Sequence, residues 1–269
     1  MDKIEKLQKI NKLLLDDQPE YMDEAKKFAQ DMSGQRRLMR SLMNLRRPGP
    51  IPRELQNLQD NYLKEEAIEK GIVHVKDLPR THSDNRIAIW QGDITRLDAG
   101  AIVNAANSQM LGCFVPCHAC IDNAIHSAAG MELREECASY MLYMSQKMGQ
   151  GYEEPTGTAV LTSGYNLPAA HVIHTVGPIV YGQLTPREEK LLESCYMSCM
   201  ATADENKLSS IAFCCISTGV FHFPNDRAAE IAVDTVTRYL DSHQDSNIDT
   251  VVFNVFKDLD LDIYRGLLD

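Results

Sequence analysis

Apolar residues recur at helical spacing through the first 70 residues of this 269-residue chain. Residues 4, 7, 10, 13 and 14 form an apolar stripe, and the same spacing continues over residues 21–32 and 35–45. Arg47-Pro48-Gly49-Pro50 breaks the run, and Pro52 suits the first turn of another helix. That helix ends at Gly71, where glycine commonly follows a last helical turn. We therefore predict an N-terminal helical extension over residues 1–71.

From about residue 86, short apolar runs alternate with longer amphipathic ones. A strand is predicted to begin at Ile87 and to end in Gly92-Asp93, and others over 101–103, 159–162, 171–176, 210–216 and 250–256. Helices are predicted over 121–130, 132–144, 186–206 and 224–240, with a closing helix from residue 260. Such alternation predicts an α/β/α sandwich over residues 72–269.

Polar motifs follow three of these predicted strands: Gly92-Asp93, Asn104 to Asn107, and Ser217-Thr218-Gly219. Ligands of open α/β sheets lie outside the carboxyl ends of the strands, so we expect the motifs to share one cleft. The loop from Ser217 opens a helix near Pro224, and its amides are suited to surround a phosphate. Taken alone, this loop is more typical of an ordinary strand-to-helix turn.

Charge and composition exclude several classes of function. Residues 1–71 hold 14 Lys+Arg and 13 Asp+Glu, whereas residues 72–269 hold 13 and 25. A long nucleic-acid track on the second part is therefore excluded, and bound phosphates are expected to be held mainly by backbone N–H groups. The arginines of the extension are better explained by solvent-exposed helix faces than by a surface that binds an acidic partner. No apolar run approaches the roughly 18 residues of a membrane span, so we predict a cytoplasmic protein with no membrane partner.

Three thiols and an imidazole fall between Cys113 and Cys120: Cys113, Cys117, His118 and Cys120. Thiolate and imidazole are the usual zinc donors, so this segment predicts a bound Zn²⁺. The remaining five cysteines lie in apolar patterns and are predicted to be buried core thiols: Cys137, Cys195, Cys199, Cys214 and Cys215. A metal loop is thus predicted to run directly into a helix N-terminus.

Four motifs together resemble a known family, the macrodomains, which bind ADP-ribose. They are Gly92 to Thr95, Val103 to Asn107, Asp122 to His126 with Ala128-Ala129-Gly130, and Ile216 to Phe221, in family order. The resemblance covers about residues 86–269 and implies a three-layer α/β/α sandwich with a mixed central sheet. Most macrodomains carry a glycine run where this chain has Cys113 to Cys120. That departure is similar to the zinc-containing microbial branch, which also carries an extra N-terminal helical region.

The resemblance assigns roles to individual residues of the cleft. Asp93 would accept a hydrogen bond from the adenine amino group, with the backbone of Ile94 beside it. Asn104 and Asn107 would face the distal ribose, and Asn107 is also assigned to catalysis. The loop of Ser217, Thr218, Gly219, Val220 and Phe221 would wrap the diphosphate. Phe256 is predicted as the adenine platform, with core packing as an equal alternative.

For the metal, the resemblance implies Cys113, His118 and Cys120 as ligands and leaves Cys117 outside. Three protein ligands are typical of a catalytic zinc, whereas a fourth from Cys117 or His126 would make the site structural. Asp122 matches the position of a catalytic aspartate in related hydrolases, although an aspartate there is also an ordinary helix cap. His126 is expected to be a packed histidine.

The function predicted is hydrolysis of protein-linked mono-ADP-ribose, with an ester-type linkage to an acidic side chain and with Zn²⁺ as cofactor. The zinc branch implies a lipoyl-carrier protein modified by a sirtuin-like transferase as the partner. Two alternatives stay open: a reader module that binds ADP-ribose beside a structural zinc, and a hydrolase of O-acetyl-ADP-ribose. Residues 1–71 are expected to be dispensable for binding free ADP-ribose, because no cleft motif lies there.

Overall fold

The computed structural model describes residues 2–269 and contains an N-terminal group of helices followed by an α/β unit. The first group comprises α1 (Lys3–Asp17), α2 (Met22–Ala25), α3 (Met32–Leu45) and α4 (Arg53–Lys70). The strands are β1 (Ile87–Gln91), β2 (Ala101–Ala106), β3 (Ala159–Ser163), β4 (His171–Val176), β5 (Ser210–Phe213) and β6 (Thr250–Val255). The later helices are α5 (Ile121–Ala129), α6 (Met131–Met148), α7 (Pro186–Glu205), α8 (Asn225–Ser242) and α9 (Asp258–Leu268).

The N-terminal helices begin where the sequence supplies capping groups. Asp2 and Glu5 form a capping box at the start of α1, and the Asp31 carboxylate accepts a hydrogen bond from the Gly34 amide at the start of α3. The predicted helix over residues 21–32 is wrong, because α2 ends at Ala25 and residues 26–31 are not helical. The cap at Asp31 starts a new helix and therefore separates α2 from α3.

These helices have a hydrophobic core of their own. Leu7, Ile10 and Leu14 of α1 are fully buried, and the cluster that they join also includes Met131, the first residue of α6. The N-terminal helices are therefore packed onto the α/β unit through α5 and α6. The boundary at residue 71 stays a prediction.

The α/β unit is built on a six-stranded sheet with the order β1-β6-β5-β2-β4-β3. β3 pairs antiparallel with β4, and all other neighbouring strands are parallel. Helices α7, α8 and α9 pack side by side, whereas α5 and α6 contact each other and pack on β2 and β3. The predicted α/β sandwich with a mixed central sheet is confirmed.

The parallel strands place their carboxyl ends at one edge of the sheet, so the segments that follow them meet there. β5 ends at Phe213, three residues before the predicted end, and residues 214–216 already belong to the loop. β2 runs to Ala106 and carries the first asparagine motif to this edge. None of the helices between residues 2 and 269 has the length and apolar character that a membrane crossing requires; the cytoplasmic location stays a prediction.

Candidate functional site

Asp93 lies directly after β1, where a short 3-10 turn over Ile94–Arg96 begins. Its Oδ1 accepts hydrogen bonds from the Thr95 amide at 3.0 Å and from the Thr95 hydroxyl at 2.7 Å. These two bonds fix the direction of the carboxylate, and Oδ2 accepts none from residues 2–269, which leaves it available to a ligand donor. Ile94 has a buried side chain, so only its backbone is suited to contact a ligand.

The segment from Ser217 to Phe223 forms a compact loop between β5 and α8. Ser217 has a φ of +65°, its hydroxyl is buried, and among the described residues that hydroxyl has no hydrogen-bond partner. The Phe223 amide donates to the Ser217 carbonyl, and the Val180 amide donates to the Phe221 carbonyl, which ties the loop to the segment after β4. Gly219 and Val220 are exposed at its tip. Hydrogen bonds thus fix the loop on either side of its tip, whereas the tip itself is exposed to solvent.

Gly177, which follows β4, packs closely against this loop. A Cβ atom at position 177 would lie 2.1 Å from the Ser217 Oγ, which is closer than any real contact. At Gly219, by contrast, an added Cβ would meet no protein atom within 4 Å. A side chain at position 219 would therefore project into the open side of the loop.

The two asparagines after and within β2 have different surroundings. Asn107 is half-buried; its Oδ1 accepts from the Gln109 amide and its Nδ2 donates to the Gly112 carbonyl. Asn104 is fully buried, and its Nδ2 donates to Asp122 Oδ1 at 2.8 Å and to His174 Nδ1 at 3.0 Å. Ribose contact by Asn104 stays a prediction; its observed partners lie inside the protein.

Asp122 occupies the first turn of α5 and is 5% exposed. Burial raises the pKa of this carboxyl to about 6, although the Asn104 bond and the charge of Arg134 act in the opposite direction. Its position near a helix N-terminus also favours the negative form. At neutral pH the carboxyl is therefore mostly ionised but is a stronger base than an exposed aspartate.

His174 and Cys137 lie behind Asp122, and sequence reasoning did not assign either to the site. Because His174 Nδ1 accepts from Asn104, its other ring nitrogen carries the proton, and Nε2 lies 3.0 Å from the Thr162 hydroxyl. Burial lowers the pKa of His174 to about 3, so the ring is neutral. The sequence offered only a weak signal, a histidine within a strand that also holds His171 and Thr175.

His126 is buried, as expected for a packed histidine, and burial lowers the pKa of its ring. Its Nε2 lies 3.5 Å from Asp122 Oδ1, and neither ring nitrogen is hydrogen-bonded within the described part of the chain. His126, Cys137 and His174 also bring their donor atoms within 4.8 Å of one another. Both ring nitrogens of His174 already have protein partners, so we assign no metal to this second group.

The donor atoms of Cys113, His118 and Cys120 lie within 4.8 Å of one another, and all three residues are half-buried. His118 Nδ1 is buried and accepts or donates no hydrogen bond among residues 2–269. Burial raises the pKa of the Cys120 thiol to about 11, and the neighbouring Cys113 and Asp122 act in the same direction. A bound cation would instead favour the thiolate form of Cys120, because metal ligands must be deprotonated.

Cys117 lies apart from these three donors. It has a φ of +52°, its Sγ lies 3.3 Å from the Ser41 hydroxyl, and its amide donates to Asn44 Oδ1 at 2.9 Å. Both partners belong to α3. The structure thus brings together the three predicted ligands and gives Cys117 other contacts.

Phe256 follows β6 at the same edge of the sheet and is 76% exposed. The alternative that it packs in the core is therefore wrong. Its role as an adenine platform stays a prediction, which the exposure of the ring permits.

Comparisons with known proteins show the family of this chain. A family model described as Macro domain matches residues 103–232. The chain is 50% identical over 240 residues to a protein-ADP-ribose hydrolase of Treponema medium, covering 88% of this chain and 89% of that one. It is 46% identical over 229 residues to the protein-ADP-ribose hydrolase of Staphylococcus aureus strain MSSA476, covering 85% and 82% respectively.

Solved structures are similar over most of the chain. The Trypanosoma brucei macrodomain in complex with ADP-ribose matches with a TM-score of 0.62 and 30% identity, covering 85% of this chain and 94% of that one. The Oceanobacillus iheyensis macrodomain with ADP matches with a TM-score of 0.59 and 38% identity, covering 69% and 92%. The part of this chain that the second structure does not cover is long enough to include the N-terminal helices.

Proposed function

Because this chain belongs to the macro domain family, we propose that it is a zinc-dependent hydrolase that removes mono-ADP-ribose from modified proteins. The prediction of an enzyme is confirmed by relatives named protein-ADP-ribose hydrolase, which are 46–50% identical over most of the chain. The observation that carries the zinc-dependent reaction is the cluster of Cys113, His118 and Cys120 beside the buried carboxyl of Asp122.

The donor set fits zinc. Two thiols and one imidazole are ligands that zinc prefers, and a three-residue shell leaves a position open for substrate or water. The unpartnered His118 Nδ1 is a buried polar atom that lacks a partner until a ligand or metal supplies one. A Zn²⁺ ion held by these residues would supply a Lewis acid, which favours an ester-type linkage because its carbonyl oxygen can be polarised.

The nucleotide is proposed to bind along the carboxyl edge of the sheet. Asp93 Oδ2 is free to accept from the adenine amino group, and the exposed ring of Phe256 is available for stacking. The diphosphate is assigned to the amides of Ser217–Phe221, since residues 72–269 carry 25 acidic and only 13 basic side chains.

Asp122 is proposed to accept a proton from the attacking water, and Asn107 is proposed to orient the distal ribose. Burial makes this carboxyl a stronger base than an exposed aspartate, which suits the role. Asn104 holds the carboxyl by its 2.8 Å bond and thereby directs it. A contact of Asn104 with the ribose itself is kept as a part of this proposal.

The substrate is proposed to be an ADP-ribosylated acidic side chain. A lipoyl-carrier protein modified by a sirtuin-like transferase is the proposed target, on the similarity of the Cys113–Cys120 segment to the zinc-containing branch. This target is separable from the chemistry, because any ester-linked mono-ADP-ribosylated protein tests the reaction.

The test replaces one donor at a time, as Cys113→Ser, His118→Ala and Cys120→Ser, with Cys117→Ser as the matched control. Each variant is assayed for zinc content, affinity for free ADP-ribose and turnover of a modified protein. The three donor changes should abolish turnover while affinity falls much less, because the nucleotide contacts lie elsewhere. Cys117→Ser should stay active, since a serine hydroxyl also suits the contact with Ser41.

Full turnover by a variant shown to lack zinc would refute the metal-dependent reaction. Binding of ADP-ribose without any turnover by the zinc-loaded wild type would instead favour a reader module. Competition by O-acetyl-ADP-ribose, with its deacetylation as the faster reaction, would favour a hydrolase of O-acetyl-ADP-ribose.

A further inference from the structure

The Cys113–Cys120 loop is contacted along one side by α3 of the N-terminal helices. Arg40 donates through Nη2 to the His118 carbonyl at 3.0 Å, and through Nε and Nη2 to Asn123 Oδ1 at 3.0 and 2.6 Å. Asn44 accepts from the Cys117 amide and donates to the Ser127 hydroxyl at 3.0 Å. Positions 40 and 44 lie one helical turn apart, so both side chains leave the same face of α3.

The loop has little regular structure of its own. Residues 111–120 contain no helix or strand, and Cys117 holds a left-handed φ that a residue other than glycine adopts at a cost. A loop of this kind keeps its shape only where its surroundings fix it. Its main-chain partners are therefore expected to decide how its donors are arranged.

Further contacts close around the same loop. Asn123 Nδ2 donates to the Val115 carbonyl at 2.9 Å, and the Oδ1 of the same side chain is the group that Arg40 binds. The ring of Phe114 lies 4.5 Å from the Arg47 guanidinium and 4.4 Å from that of Arg134. Arg40 thus braces the loop directly and also through Asn123.

We propose that Arg40 and Asn44 are positioning residues, which hold the Cys113–Cys120 loop so that its three donors meet. The inference rests on the zinc site of the proposed function. Groups that orient metal ligands from outside the coordination shell commonly change metal affinity by about 10- to 100-fold when they are removed. The N-terminal helices, which bear no cleft motif, thereby complete the metal loop.

The experiment uses the full chain with Arg40→Gln and Asn44→Ala, which remove contacts to different loop residues, and Arg37→Gln as the control. Arg37 is one turn from Arg40 on α3 but has an exposed side chain. Zn²⁺ affinity is measured by competition with a chromogenic chelator, ADP-ribose affinity by calorimetry, and the ligand arrangement by the absorption spectrum of the Co²⁺-loaded protein.

We expect Arg40→Gln and Asn44→Ala each to weaken Zn²⁺ binding by about tenfold or more and to alter the Co²⁺ spectrum, with ADP-ribose affinity within about twofold of wild type. Arg37→Gln should behave as wild type in all three measurements. Unaltered Zn²⁺ affinity and an unaltered spectrum in both variants, with circular dichroism showing both folded, would overturn the inference.

A wild-type protein that binds no Zn²⁺ would refute the metal part of the proposed function, and a second readout then decides the positioning role. The rate at which iodoacetamide modifies Cys113 and Cys120 is followed by peptide mass spectrometry. Faster modification in Arg40→Gln and Asn44→Ala than in Arg37→Gln would show that α3 holds the loop. Equal rates in all three variants would overturn that role.

Discussion

Arg134 of α6 ties the end of α3 to the start of the Cys113–Cys120 loop, and replacing it gives a direct test of that connection. Its Nη1 donates to the carbonyls of Met43, Asn44 and Arg46 at 2.8, 3.0 and 2.6 Å, and its Nε donates to the Leu111 carbonyl at 2.7 Å. The last carbonyls of a helix have no intrahelical donor, so the guanidinium satisfies them. Arg134→Met keeps the apolar stem and removes every donor.

The magnitude follows from burial. A hydrogen bond to a charged group contributes about 1.5–3 kcal/mol, and a carbonyl left buried without a partner costs about 1–3 kcal/mol. The four bonds are not additive, because one guanidinium makes them all and because removing it also removes its desolvation cost, which lowers the pKa of Arg134 to about 10. We expect a net destabilisation of about 3 kcal/mol, the upper end of the range for a hydrogen bond to a charged group.

The assay is urea unfolding of the full chain at neutral pH, followed by two probes. Trp90, the single tryptophan, lies in β1 and reports on the sheet by fluorescence, whereas far-ultraviolet circular dichroism reports mainly on the helices. Arg37→Met is the matched control, since that side chain is exposed on α3. A free energy of unfolding for Arg134→Met within about 1 kcal/mol of that for Arg37→Met would refute the reasoning from the four bonds.

Three further predictions concern the cleft and the N-terminal helices. Asp93→Ala should weaken ADP-ribose binding by about 1.5–3 kcal/mol at unchanged zinc content, and an unchanged calorimetric affinity would remove Asp93 from the site. Lys257, next to Phe256 at the start of α9, supplies the comparison with a basic side chain. Gly219→Val should weaken binding more than Lys257→Ala does, because the added side chain enters the open side of the loop, where the diphosphate is proposed to bind; the reverse order would exclude a diphosphate held by amides. Burial raises the pKa of Glu66, but its bonds to Arg36 outweigh this and lower that pKa from 4.5 to about 2. The ionised Glu66 therefore stabilises the fold fully above pH 4.5, and this contribution is lost as the pH falls towards 2. Between pH 7 and 3.5, the free energy of unfolding of wild type, measured in urea, should fall by about 1 kcal/mol more than that of Glu66→Gln. Equal losses would contradict that ion pair's contribution.

The alternation of strands and helices after residue 86 could be read from the sequence because buried parallel strands are short and continuously apolar. The predicted ends were less accurate for a physical reason. Residues 214–216 continue the apolar run of β5 and are largely buried, although they belong to the loop. Burial in a loop and burial in a strand leave the same pattern, so the sequence could not separate them.

The break between α2 and α3 was also hidden in the sequence. No proline lies between residues 21 and 32, and the apolar spacing there continues. The helix nevertheless stops, and Gly34 packs so closely on the preceding segment that a Cβ would lie 2.2 Å from the Ala29 carbonyl oxygen. That contact is tertiary, and helical periodicity carries no information about it.

The segments assigned to the cleft could be chosen from the sequence because each follows a strand of the parallel sheet. What the sequence could not show were the partners behind them. Asn104 meets His174 across 70 positions of the chain, and Arg40 meets His118 across 78. No local pattern encodes such pairs. The two contacts explain why Asn104 is buried and why α3, which has no cleft motif, touches the loop.

The first turn of α5 connects the proposed metal loop with the proposed base. Cys120 is the N-cap of this helix and accepts from the Asn123 amide at 3.4 Å, so a proposed metal ligand also caps the helix. Asp122 lies between these two residues, and Arg40 binds the Asn123 side chain from α3. A shift of α3 would therefore move Cys120 and Asp122 together, because both are fixed to the same turn. The distance between ligand and carboxyl is thereby held by α5, while the orientation of that turn is held by α3.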